Sequence, residues 1–463
     1  MSVTPSRAAA FDVLLRIEEQ NSYAADLLHS PRLEELSSAD HRLCTELVMG
    51  VVRWRSLLDS TISAAAARPA SRIDIEILIA LRLAAYQMRF LERVPRSAAV
   101  NESVELVKRA RKRSAVPFAN AVLRKLSAFP PPAATSTDAE LAGPGEAAPA
   151  APASGDELMS AELAESLAHP RWLVERWVAE YGFPTAARIC AFDQAIPATA
   201  LRVNDGTVEA ELAAEGIRLA PGLLVRGARR VVAGDVSGTR AFAEGRVAIQ
   251  DEASQLVAWL LGSGERILDC CAAPGNKAAA LAARLPHATI VATELHHHRA
   301  RVMRERMRSP RISIITADAR ALPLADEFDR VLIDVPCSGT GTLARNPEIK
   351  WRLTPADLAD LQGRQAAILR SALQRVAPGG RVLYSTCSLE PEENQEVVEM
   401  ALGEDQKAEF QIMDCAAQLR DLQTSGDLIW PNPQSLTRGK FLATLPGIHP
   451  CDGFFAALME RRA

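Results

Sequence analysis

Apolar residues recur every three to four positions through nearly all of residues 5–129, in runs such as AAFDVLLRIEE, HRLCTELVMGVVRWRSLLD, IEILIALRLAAYQMRFL and VNESVELVKRARKR, with Pro and Ser breaks between them. That period lets a helix turn one face to a core, so an all-helical domain is expected over 1–129. The pattern then stops. Residues 130–157 are Ala-, Pro- and Gly-rich and acidic, with too few large apolar groups to offset the entropy of ordering them, and are expected to form a disordered linker. From 158 to 247 a helical opening, RWLVERWVAEYG, gives way to shorter alternating segments such as ATALRVN and GLLVRG, which predicts a small α+β domain. Over 248–463 five apolar runs alternate with helical patterns: RILDC (266–270), TIVATE (289–294), ISIITAD (312–318), RVLIDVP (330–336) and RVLYSTC (381–387). Buried strands alternating with helices specify a mostly parallel, doubly wound sheet of Rossmann type. A late pair, EFQIMD and GFFAALME, is expected to add antiparallel edge strands.

Composition adds limits to this multidomain picture. A chain of 463 residues exceeds one ordinary core, and its 48% apolar and 24% charged residues match soluble proteins. No uncharged apolar run reaches the 18 residues that a bilayer span needs, and the first residues lack an export pattern, so a cytoplasmic protein, away from any membrane and monomeric, is expected. Eight cysteines without a CxxC pair favour neither a disulfide framework nor a zinc ribbon. His296, His297 and His298 point in different directions on a helix, so they are read as a solvated helix start, and no metal is expected. Net charge is −4, but residues 1–130 carry 19 Lys and Arg against 14 Asp and Glu, a local +5. A second basic run, Arg299, Arg301, Arg304, Arg306, Arg308 and Arg311, suits a solvated helix face and a phosphate-binding surface equally.

The candidate chemistry sits at the carboxyl ends of the strands, where open α/β sheets bind ligands. The first strand runs into Asp269-Cys270-Cys271-Ala272-Ala273-Pro274-Gly275-Asn276-Lys277, where small residues and a helix N-terminus allow close approach of a nucleoside-type cofactor. Glu294 and Asp318 end the second and third strands, placed for ribose hydroxyls and an adenine edge; for each acid singly, capping the next helix is the competing account. Cys337, in Asp334-Val335-Pro336-Cys337-Ser338-Gly339, and Cys387, in Ser385-Thr386-Cys387-Ser388, follow the fourth and fifth strands and should face one crevice. Cys44, Cys190 and Cys415 lie in apolar stripes and read as small core residues.

The segments DCCAAPGNK, DVPCSGTGTLARNPEIKW and YSTCSLEPEENQEVV together resemble the motifs of the RNA cytosine-5 methyltransferase family, in its branch acting on small-subunit ribosomal RNA, and the likeness runs through nearly the whole chain. GRVAIQDEASQ (245–255) looks like the family's helix entering the cofactor domain. The resemblance implies an S-adenosylmethionine-dependent enzyme in which Cys271, Ala272, Ala273, Pro274, Gly275, Asn276, Lys277, Glu294, Asp318 and Asp334 contact the cofactor. It makes Cys387 the nucleophile and gives Cys337 to product release. The chemistry explains the cysteine requirement: C5 of cytosine is a poor nucleophile until a thiolate adds to C6, and Asp334 could stabilise the protonated adduct near N3.

The helical N-terminal domain resembles the antitermination factor NusB, an RNA-binding fold, which implies ribosomal RNA as partner, with Arg299, Arg301, Arg304, Arg345 and Lys350 as candidate RNA contacts. Asn276 replaces the family's usual second glycine, Ala278 a common hydroxyl residue and Glu294 the usual Asp; these departures bear on cofactor affinity more than on reaction type. Asn tolerates left-handed backbone, so the turn can survive. The same motifs allow transfer RNA as substrate, and the helical domain with the linker allows a cofactor-binding scaffold in ribosome assembly.

Overall fold

The structure, a computed structural model, describes residues 3–128 and 156–463 apart from 21, 34, 204, 205 and 308. The expected linker therefore lies outside the described residues except for 156 and 157, which open a helix. The chain forms two compact units, 1–196 with 343–352 and 197–342 with 353–463.

In the first unit the helices Pro5–Gln20, Ser38–Arg53, Arg55–Ala66, Ile75–Phe90, Arg96–Arg109 and Val116–Ala128 enclose one core. Ile75–Phe90 is apolar almost all round and buries every residue from Ile77 to Gln87, as a helix without a polar face must. Its buried cation, Arg82, is held by Asp59 (2.6 and 2.7 Å) and Glu18 (2.8 Å). The run 41–59 breaks at Trp54, whose indole leaves the helix to stack on Phe90 at 4.9 Å.

The segment expected as one module over 158–247 divides instead at Ile196. Helices Asp156–Ser166, Arg171–Tyr181 and Phe183–Gln194 join the first unit because they share its interior: Trp177 is buried, and Gln194 Nε2 donates to the Arg53 carbonyl at 3.4 Å. Leu343–Arg352 belongs to the same unit. There Trp351 Nε1 donates to the Val52 carbonyl (2.7 Å), Arg53 Nη2 to the Ala344 carbonyl (2.9 Å), and the Ala24 N–H to Glu348 Oε1 (2.9 Å).

The second unit carries two sheets. Strands β1 (Ala200–Val203), β2 (Arg218–Pro221), β3 (Ala228–Ala233) and β4 (Val247–Ile249) form an antiparallel sheet in the order β2-β3-β1-β4. GLLVRG, expected as an alternating strand, is the connection between β2 and β3. Leu224 and Val225 are buried there because the N–H groups of Leu223, Leu224 and Val225 find a partner in the Glu252 carboxylate, at 2.7 to 3.0 Å.

The larger sheet holds β5 (Arg266–Asp269), β6 (Thr289–Glu294), β7 (Ile312–Thr316), β8 (Phe328–Asp334), β9 (Val376–Thr386), β10 (Phe410–Ile412), β11 (Thr437–Arg438), β12 (Phe441–Thr444) and β13 (Phe454–Arg461). Its order is β11-β12-β13-β9-β8-β5-β6-β7, with β10 beside β13. The five expected strands, β5 to β9, are the parallel ones. β13 is antiparallel as expected but lies inside the sheet, between β9 and β12, and its six residues from Phe454 to Met459 are all buried. Strand order reverses between β5 and β8, which opens a crevice at their carboxyl ends.

Candidate active site

The turn after β5 is shaped by glycine and by one buried acid. Gly275 takes φ +105 and precedes the helix Asn276–Arg284; an added Cβ there would come within 2.2 Å of Met307 Sδ. Asn276 begins the helix, so the left-handed step falls on Gly275 and the tolerance expected of Asn276 is not called upon; its Nδ2 donates to the Ile249 carbonyl at 3.3 Å. Asp269, at the end of β5, is buried, and no side chain donates a hydrogen bond to its carboxylate. Burial, and then the nearby Asp334 carboxylate, push its pKa up to about 7, against the pull of Lys277 and the Cys271 N–H. The Cys271 thiol is held well above the usual thiol range, first by burial and then by Asp269, Asp334, Glu294 and Asp318. Four carboxylates therefore surround this turn.

Lys277 Nζ donates to Asp334 Oδ2 at 2.6 Å and lies 5.3 Å from the Phe454 ring centroid, while Ser385 Oγ donates to Asp334 Oδ1 at 2.9 Å. The ion pair thus ties the helix after β5 to the end of β8. Glu294 is buried at the end of β6 and accepts the His296 N–H at 2.8 Å. Asp318 follows β7, accepts the Arg320 N–H at 2.9 Å and pairs with the Arg320 guanidinium at 2.6 Å, which holds its carboxyl below the usual range. Both acids make the local cap that competes with the ligand account, and both keep acceptor capacity, since a carboxylate takes about four donors.

The two cysteines meet. Cys337, in the loop after β8, and Cys387, directly after β9, place their Sγ atoms 3.3 Å apart, both half-buried. The hydrogen bond to Cys387, and then burial, keep the Cys337 thiol well above its usual range, so at neutral pH it remains an S–H that can donate to its neighbour. Parallel pairing of β8 with β9 sets Asp334 opposite Ser385, which brings both cysteines to the same end of adjacent strands. Cys44, Cys190 and Cys415 are fully buried.

The basic candidates separate. Arg299 and Arg301 are exposed on the helix His297–Arg306, with Arg301 in a loose pair with Glu305 at 3.7 Å, and His296, His297 and His298 are exposed at its start. Arg304 Nη2 donates to the Ile314 carbonyl (3.1 Å) and Arg311 to those of Leu285 and Ala282 (both 2.8 Å), so these two serve the fold; Arg308 lies outside the described residues. Arg345 and Lys350 belong to the first unit, Cys337 and Cys387 to the second. Lys350 is 1% exposed and its Nζ lacks a hydrogen-bond partner; burial brings its pKa down to about 7. An ammonium so enclosed presents nothing to a phosphate, which corrects its expected role.

Sequence reasoning passed over Glu393. It lies in the EPEEN segment after Cys387, is 0% exposed, and its carboxylate accepts from the Ser338 N–H (2.8 Å), Gln365 Nε2 (2.8 Å), Ser388 Oγ (2.5 Å) and Ser338 Oγ. An acid-rich surface turn and a buried acceptor look alike in sequence; the only hint was its closeness to the cysteine motif.

Comparison with known proteins matches three family models along the chain. These are the NusB family over 4–128, the RsmF/B-like ferredoxin-like domain over 169–227, and the 16S rRNA methyltransferase RsmB/F over 258–460. The probable ribosomal RNA small subunit methyltransferase B of Bacillus subtilis (strain 168) is 32% identical over 477 residues, covering 100% of both chains. The ribosomal RNA small subunit methyltransferase B of Pseudomonas putida is 32% identical over 449 residues and 93% of each chain. Among solved structures, that of PH0851 covers 99% of each chain with a TM-score of 0.76 at 23% identity, a likeness of fold.

Proposed function

This chain belongs to the family of ribosomal RNA small subunit methyltransferase B, and on that premise we propose that it methylates carbon 5 of a cytosine through a covalent adduct between Cys387 and C6 of the base. The observation that carries the proposal is the 3.3 Å contact of the Cys337 and Cys387 sulfurs after the paired strand ends that set Asp334 opposite Ser385.

S-adenosylmethionine fits the turn after β5 on charge and shape. The Asp269 carboxylate, which no side chain partners, with Asp334, Glu294 and Asp318 nearby, favours a cationic ligand carrying hydroxyl and amino donors, and the Gly275 turn lets backbone come close. Residues Cys271 to Lys277, with Glu294, Asp318 and Asp334, would hold it. The cofactor supplies a methyl carbon made electrophilic by a sulfonium.

The protein's own groups do the rest. The Cys387 thiolate adds to C6, and the electron density released into the ring makes C5 nucleophilic. Asp334, fixed by Lys277 and Ser385, keeps acceptor capacity for a protonated N3. After C5 is substituted, its proton must leave as the C6–S bond breaks. Cys337 stands within bonding reach of the departing sulfur; it gives that sulfur a proton and receives the one lost from C5, and Cys387 then sheds its proton to solvent, which restores the thiolate and thiol of the starting pair. An unpaired RNA segment suits such a site, since its bases can be splayed out, and Arg299, Arg301 and Arg306 are exposed cations able to meet phosphate.

Incubation with methyl-labelled S-adenosylmethionine and unmodified small-subunit RNA is expected to place label in 5-methylcytosine; its absence there would overturn the reading. Cys387→Ala should abolish both methylation and adduct. Cys337→Ala should accumulate a slow-migrating protein–RNA band on denaturing gels, because addition proceeds while release stalls, and a lane without that band contradicts the assigned roles.

A further inference from the structure

The two cysteine motifs are 50 residues apart in sequence, and a pairing register alone does not set two sulfurs in contact. Something must fix the loops that carry them. Ser338 follows Cys337 directly and Ser388 follows Cys387 directly, and both serines converge on one carboxylate. Glu393 Oε1 accepts the Ser338 N–H and Gln365 Nε2; Oε2 accepts the hydroxyls of Ser338 and Ser388, which lie 3.0 Å from each other. Gln365 also donates to the Pro336 carbonyl at 3.0 Å, so the residues on both sides of Cys337 answer to the same acid. Glu393 is held in turn: Tyr384 Oη donates to its carbonyl at 2.6 Å, and the neighbouring Asn394 accepts from Thr386 Oγ1 (2.6 Å) and donates to the Ser388 carbonyl (3.0 Å).

We infer that Glu393 is a positioning residue of the proposed reaction, a buried clasp that joins the residues following Cys337 and Cys387 and thereby holds the two sulfurs in contact. The inference rests on the addition and elimination cycle proposed above. A fully buried carboxylate is costly unless every lone pair is used, and four donors use them. A framework acid could equally be satisfied by any surrounding donors; here three of the four come from the residues adjoining the two thiols. The negative charge of Glu393 also helps to keep Cys337 in its thiol form, the form able to donate to Cys387.

The test reads the sulfur contact directly, without RNA. The azo oxidant diamide takes two thiols to a disulfide and is itself reduced to the hydrazine, and the Cys337–Cys387 peptide pair is counted by mass spectrometry over time. The wild type should cross-link this pair first among its eight cysteines. Glu393→Gln keeps the volume and loses one acceptor oxygen; it should cross-link the pair about tenfold more slowly or worse, the scale expected of a misplacement near 1 Å. Its melting temperature should fall by a few degrees, because an amide NH2 then faces hydroxyl and N–H donors, while its affinity for S-adenosylmethionine should stay close to wild type. Ser388→Ala removes one donor and leaves the carboxylate in place; it should fall between the two and serves as the deciding variant if Glu393→Gln does not fold. In turnover, Glu393→Gln should lower kcat with the RNA KM little changed. Cross-linking by both variants at the wild-type rate, or a wild type that does not cross-link the pair, overturns the clasp. Failure of the reaction itself shows differently, as a wild type that cross-links but places no label in 5-methylcytosine.

Discussion

Asp269 is an acid held half-protonated near neutral pH by its surroundings. Its pKa of about 7 lies far above that of a carboxyl in water, so the cofactor-free protein binds a proton there below pH 7. A cationic ligand favours the ionised form, and its binding must expel that proton. Affinity for S-adenosylmethionine should therefore rise between pH 5.5 and 7, by up to about tenfold per unit, and level off above. Titration calorimetry in buffers of different ionisation enthalpy would show the proton release, and Asp269→Asn should remove the slope. Little of this could be read from the sequence. DCCAAPGNK identified the turn, and the cysteine motifs identified the sulfurs, because those chemistries need particular residue types at particular offsets. The protonation of Asp269 depends first on its burial and then on Asp334, 65 positions further on, and the burial of Glu393 and Lys350 depends on contacts whose sequence trace is one ordinary charge among many.

At the scale of elements, the parallel strands were legible because each is an apolar run bounded by turn residues. β13 was legible as a strand but not as an interior one, since burial on both faces and placement between β9 and β12 follow from the order of the whole sheet. The loop after Cys337 is fixed to β13 by two glycines. The Gly341 N–H donates to the Cys387 carbonyl at 2.9 Å and the Gly453 N–H to the Gly341 carbonyl at 2.8 Å; an added Cβ at Gly341 would lie 2.3 Å from the Gly453 carbonyl oxygen. Backbone cannot step aside as a side chain can. Gly341→Ala is expected to cost on the order of 2–4 kcal/mol of stability and to slow methylation more than it weakens cofactor binding. Chemical denaturation alongside turnover would check both; a variant of wild-type stability and rate would mean that this approach is not tight.

At the scale of the whole molecule, three regions of different periodicity announced three kinds of structure, and three family models match in that order. The compact units follow a different division, because compactness depends on who shares an interior with whom. No periodicity marks Leu343–Arg352 as part of a helical unit that otherwise ends at Ile196. Residues 1–196 expressed alone should fold with the sites for Trp351 and Glu348 empty and melt below the same unit in the full chain. A peptide spanning 343–352 should raise the melting temperature of that fragment, by roughly 2–4 °C for each kcal/mol it contributes. Scanning fluorimetry with and without the peptide reads the effect, and a fragment indifferent to it would show that the segment adds nothing.

That same ten-residue segment has a hereditary consequence. A module encoded in one continuous stretch can be gained or shed by a single genetic joint; this one cannot. A lineage that deleted the helical unit at residue 196 would still inherit LARNPEIKWR, with its tryptophan and its enclosed lysine left without their host, beginning six residues after Cys337 of the Pro-Cys motif. Losing the unit cleanly takes two coordinated changes, the second of them close to Cys337, so no single genetic joint separates the helical unit from the methyltransferase domain.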